Sequence, residues 1–177
     1  MSIEIREQNL LFTFEDSWQV VKLDDHRAYR NGLGKLAESQ AVNFLGIHQN
    51  QLYFIEAKDF RGHRIENQQR LHSGQLSTEI GQKVRDSVAC IVAAHRQSGN
   101  SEWQPYLKIL RDQRKLVKVV IWLEYDLPTN PYTRKKDTAS VATKVFKKKL
   151  RWLTTTVLVA NMADNPLPDL DVTNQPH

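Results

Sequence analysis

Apolar and polar residues alternate with a period of two along the first 23 positions, in Ile3-Glu4-Ile5-Arg6, in Leu10 to Phe14 and in Trp18 to Leu23. That period puts one set of side chains on each face of an extended chain and predicts two or three short strands joined by tight turns. Asp24 to Gln40 contains Asn31-Gly32-Leu33-Gly34, a breaker, and reads as a short helical turn followed by a loop. Ala41 to His48 and Gln51 to Lys58 are apolar runs separated by Gln49-Asn50, the pattern of an antiparallel hairpin with a two-residue turn.

The period then changes. Ile80, Val84, Val88, Ile91 and Val92 recur at helical spacing, predicting an amphipathic helix from about Thr78 to Gln97 that ends at Ser98-Gly99. A shorter helix is expected over Glu102 to Arg114. Leu116 to Tyr125 is dense in β-branched and aromatic residues, as a central strand requires. Pro128 and Pro131 enforce a loop. Ala142, Phe146, Leu150 and Leu153 define one apolar face of a helix from Thr138 to about Leu153, and Thr154 to Ala160 reads as a last strand. Asp164 to His177 has three prolines and no periodicity, and is expected to be a flexible tail.

The order β-β-α-(α)-β-α-β predicts an α/β chain with a mixed central sheet flanked by helices and a small N-terminal hairpin region. A length of 177 residues suits a single domain, here 1–163, with N-terminal strands over 1–23 and a core over 24–160. With 40% hydrophobic and 25% charged residues the composition is that of a globular protein. No apolar stretch reaches the roughly 18 residues that a membrane helix needs, and the polar N-terminus has no secretory apolar region, so a cytoplasmic protein without a membrane partner is expected. The single cysteine, Cys90, excludes an internal disulfide and sits in an apolar helical run as a core residue.

Charge adds a second layer. The net charge is +5, and the cations cluster: Arg61, His63 and Arg64 follow the hairpin, while Lys144, Lys147, Lys148, Lys149 and Arg151 crowd the last helix. Lysine and arginine gain free energy by displacing counterions from phosphates, so Lys144, Lys148 and Arg151 define either a solvated helix face or a phosphate-tracking surface. Arg61, His63 and Arg64 are the better-placed candidates for substrate contact. The remaining histidines are scattered and suggest no zinc site.

The hairpin ends in Glu56-Ala57-Lys58, whose strand period places Glu56 and Lys58 on one face. Taken alone, the tripeptide is a strand end with solvated charges. With Val42-Asn43-Phe44-Leu45-Gly46 on the preceding strand and Lys58-Asp59-Phe60-Arg61-Gly62 following, the segment from about 24 to 160 resembles the PD-(D/E)xK nuclease superfamily, the restriction-endonuclease-like fold. The resemblance implies a metal-dependent, phosphodiester-hydrolysing nuclease acting on nucleic acid, DNA first, with Mg²⁺ or Mn²⁺ as cofactor. It makes Glu56 a metal ligand and Lys58 the group that orients water or stabilises charge. An upstream acid completes such sites, for which Asp24 and Asp25 are favoured over Glu38; the same Asp pair also suits a helix start.

The departure is Asn43, at the position of the metal-binding Asp. Its neutral carbonyl remains a potential ligand but lacks the charge that draws a divalent ion. The alternative implied is a catalytically inactive nuclease-fold module that binds nucleic acid or a protein, as a homodimer or within a complex. On the helix after the motif, Glu79, Lys83 and Asp86 share one face with Gln82 nearby, and read either as a solvent-facing stripe or as a polar face turned to the site, Lys83 foremost.

Overall fold

The computed structural model describes residues 1–62, 69–70, 73–98, 102–126 and 136–175. Strands β1 (Ile3–Glu7), β2 (Leu10–Phe14) and β3 (Trp18–Lys22) come first, then the single helical turn α1 (Arg27–Arg30) and a 3₁₀ turn at Leu33–Lys35. The hairpin follows as β4 (Phe44–His48) and β5 (Gln51–Asp59). Helix α2 (Gln75–Ser98), α3 (Gln104–Arg111), β6 (Val117–Glu124), α4 (Lys136–Leu150), β7 (Val157–Ala160) and β8 (Leu170–Asn174) complete the chain.

The main sheet is mixed and five-stranded, in the order β3-β4-β5-β6-β7. Its first half is antiparallel, with Leu45 opposite Phe54 in the hairpin, and its second half is parallel, with Glu56 opposite Ile121. The hairpin turn forms because Gln49 and Asn50 both take positive φ, 47° and 61°, the twist that lets a two-residue loop close on right-handed strands. At Gly46 the ring of Trp18 lies so close that an added Cβ would stand 2.8 Å from it, so only glycine fits there.

Every second residue of the central strands faces the helices. Leu52, Phe54, Val119, Ile121 and Leu123 pack with Leu76, Ile80, Val84, Ile91, Phe146 and Leu150. The intervening residues, Tyr53, Ile55, Ala57, Val120 and Trp122, pack on the other side with Phe12, Phe14, Leu170 and Val172. Burial on both faces explains why the stretch 119–123 within β6 reads as continuously apolar rather than alternating. Cys90 lies in the helix-side core, where burial pushes its thiol up to about 11.

The second face is covered by a small antiparallel sheet, β1-β2-β8, rather than by helices. This corrects the expected tail at 164–177: β8 pairs with β2 along Leu10↔Asn174 to Phe14↔Leu170, and Leu167, Leu170 and Val172 are buried. Residues 167–174 pack there because Phe12 and Phe14 would otherwise lie open to water. Asp169 fastens it further: its carboxylate accepts from Ser17 Oγ at 2.8 Å and lies 3.0 Å from His48 Nε2, and the indole of Trp18 donates to Pro168 O. Among the described residues, no helix is long and apolar enough to cross a membrane.

Candidate functional site

Glu56 and Lys58 share the helix-side face of β5, as the strand period requires, and Lys58 Nζ lies 3.1 Å from Glu56 Oε1. Where the apolar positions of that face end, the polar ones meet α2. Glu56 is fully buried, and its Oε1 accepts a second, shorter hydrogen bond from Lys83 Nζ at 2.7 Å. Glu79, one turn earlier on α2, binds Lys58 Nζ at 2.9 Å and Arg70 at 2.5 Å. Asp86 and Ser87 continue the same face, accepting from the backbone of Gln40 and Val42 at 3.1 and 3.0 Å. The polar stripe of α2 is thus turned inward onto the strands, not out to solvent.

The charges are mutually tuned. Burial is the largest influence on Lys58 and works against its charge, but the Glu56 charge and the bond to Glu79 together hold its pKa above the ordinary value. For Glu79 desolvation is again the largest influence, outweighed by Lys58, Arg70 and Lys83, so its carboxyl titrates below the usual range.

Asn43 stands opposite Glu56 just before β4 begins. Its backbone N–H donates to Glu56 Oε2 at 3.3 Å, its Oδ1 accepts from Ala57 N at 2.8 Å, and its Nδ2 donates to Asp24 Oδ2 at 3.0 Å. One amide therefore substitutes for a ladder bond and holds Asp24. Asp24 Oδ1 is buried without a donor, and desolvation raises the Asp24 pKa against the opposing effects of Asn43 and Lys22. Beside α2 an open depression of about 620 Å³ is lined by Gln40, Ser73, Gly74, Gln75, Thr78, Glu79 and Gln82.

Other expected residues are placed elsewhere. Asp25 is exposed and pairs with Lys22 at 3.1 Å, so of the two adjacent acids it is Asp24, not Asp25, that reaches Asn43. Arg61 is held by Asp59 and Asn174, its guanidinium spent on the link between β5 and β8. His63 and Arg64 lie outside the described residues. Lys144, Lys148 and Arg151 are exposed. Arg70 was not singled out by the sequence, because nothing in its local pattern marks it as a partner of a residue on α2.

As arranged, these donors do not fit Mg²⁺ or Mn²⁺. Hard divalent cations need several free oxygens, whereas Glu56 Oε1 takes two ammonium groups and Asn43 Oδ1 takes an N–H. Two lysine charges at that carboxylate also repel a further cation. Among the described residues, no three His, Cys, Asp or Glu side chains converge as ligands.

The fold and site together define an α/β protein with a buried carboxylate clamped by lysines from a strand and a helix. No family model matches the chain, and no solved structure matches it. Its sequence is similar to a cysteine--tRNA ligase of Neisseria meningitidis serogroup A / serotype 4A (strain DSM 15465 / Z2491), 24% identical over 170 residues, which covers 81% of this chain. The chain spans 24% of the length of that ligase.

Proposed function

We propose that the chain is a nucleic-acid-binding protein with a restriction-endonuclease-like fold of the PD-(D/E)xK type, in which lysines take the place of the catalytic cation. The observation that carries this reading is the hydrogen bond from Lys83 to Glu56, at 2.7 Å, which supplies the carboxylate with a resident positive charge. The mixed sheet and the Glu-x-Lys on β5, paired with β4, support the fold type. At the open depression, Lys58 and Arg70 both pair with Glu79, so two cations meet one carboxylate there. A phosphate competing with Glu79 for Lys58 and Arg70 would find charge-assisted donors already positioned. The ligase that the chain resembles acts on a tRNA by its name, which agrees with a nucleic-acid partner.

The test is oligonucleotide binding at low salt by wild type, Lys58→Ala and Lys83→Ala. Binding that falls steeply with salt and weakens in both variants supports the reading; no affinity for DNA or RNA at low salt sinks it. A second reading, metal-dependent hydrolysis of phosphodiesters, is favoured by the unpaired Asp24 Oδ1. Cleavage in Mg²⁺ or Mn²⁺ that disappears in both Glu56→Gln and Lys58→Ala would establish it instead.

A further inference from the structure

Trp18, Trp103 and Trp122 are buried, whereas Trp152 is 54% exposed. It sits in the turn that follows α4, which closes through bonds from Leu153 N and Thr154 N to Leu150 O. Lys147, Lys148, Lys149 and Arg151 immediately precede it in sequence, all exposed, and none forms an ion pair with a described residue. Folding does not account for a large ring left in water next to cations that pair with no described residue, since burying it would be favourable.

We infer that Lys147 to Trp152 is a contact for single-stranded nucleic acid, in which the cations take backbone phosphates and the indole stacks on a base. This rests on the nucleic-acid reading above and adds the strandedness and a residue to it. The charge is complementary to a polyanion, and an exposed aromatic ring among cations serves a strand whose base faces are free. A duplex keeps those faces inside its stack and offers the ring nothing to stack on. An anionic membrane is a poorer match, because the apolar face of α4 (Ala142, Phe146, Leu150) is already buried in the core and leaves no stripe to enter lipid. Lys149 packs beside Gly81 of α2, so the basic run borders the helix that carries Glu79 and Lys83.

The experiment is a low-salt fluorescence titration of the full chain with oligo(dT), with a duplex of the same length and with phosphatidylserine vesicles. Oligo(dT) is expected to quench tryptophan emission, since the exposed ring is the one within reach. Trp152→Ala should weaken oligo(dT) binding about tenfold and leave duplex binding nearly unchanged. Trp152→Phe should keep most of the affinity while losing the quench. Lys148→Ala/Arg151→Ala should weaken both nucleic acids and flatten the salt dependence. Unchanged oligo(dT) affinity in Trp152→Ala, equal or tighter duplex binding by wild type, or vesicle binding that quenches the emission would each overturn this inference while leaving nucleic-acid binding intact. No binding of any nucleic acid by wild type would overturn both.

Discussion

Lys83 Nζ, on α2, lies 2.7 Å from Glu56 Oε1, closer than the 3.1 Å of Lys58 two residues along the same strand. A fully buried carboxylate tolerates its burial here because two ammonium groups and a backbone N–H share it. Removing Lys83 leaves the buried carboxylate with Lys58 and the Asn43 N–H alone. Lys83→Met is therefore expected to lower unfolding free energy by about 3 kcal/mol, the low end for a broken buried pair because the lysines retain some exposure. Glu56→Gln/Lys83→Met should lose less than the sum of its single changes. Urea denaturation of the four proteins measures both quantities.

Asn43 links Asp24 to β5 through one side chain, so its replacements should separate structure from metal binding. Asn43→Ala strands Ala57 N and removes the donor to Asp24, with an expected loss of about 2–3 kcal/mol. Asn43→Asp places a new carboxylate beside Asp24 and Glu56. Its melting temperature should fall in EDTA and rise on adding Mn²⁺, by more than any rise in wild type. Equal Mn²⁺ responses in the two proteins, read by thermal unfolding, would contradict this geometry.

Glu79 carries a pH signature. Its folded pKa lies below the ordinary 4.5, so its contribution to stability is fully present above that value and is lost as pH falls through the folded pKa. Lys58, with its pKa raised above 10.5, keeps its contribution below that value and loses it as pH rises through the folded pKa. Asp24, raised above 3.8, has the opposite acidic slope, and differencing two proteins that both contain it cancels the term. The stability gap between wild type and Glu79→Gln should thus be flat across neutral pH and close on acidification below 4.5. The same variant should bind oligonucleotide more tightly, since the internal competitor for Lys58 and Arg70 is gone.

Asp169 fastens the last strand to the main sheet through His48 and Ser17. Asp169→Ala leaves a buried imidazole with one partner fewer and should cost about 1–3 kcal/mol, measured by thermal or urea unfolding. Deleting residues 165–177 would bare Phe12 and Phe14, and should produce the binding of a hydrophobic dye that Asp169→Ala does not.

That last strand marks where the sequence stopped being legible. The hairpin could be read because Gln49-Asn50 interrupts two long apolar runs at the length a tight turn needs. Leu170-Asp171-Val172 offers one period of alternation among prolines, too little to tell a strand from a tail until Phe12 and Phe14 are known to need a cover. The site divides in the same way. Local period placed Glu56 with Lys58 and put Lys83 on the face of Glu79. It could not choose between the adjacent Asp24 and Asp25, a choice made by the amide of Asn43, nor find Arg70, whose partner is nine residues away in sequence.

The most direct measurement is to incubate wild-type protein with labelled single-stranded oligonucleotide in EDTA and then in Mn²⁺, following both retention and strand length. Lysines standing in for the cation predict binding in EDTA and an intact strand in Mn²⁺. Binding that requires the metal, or cleavage in Mn²⁺ that Glu56→Gln abolishes, would contradict the account.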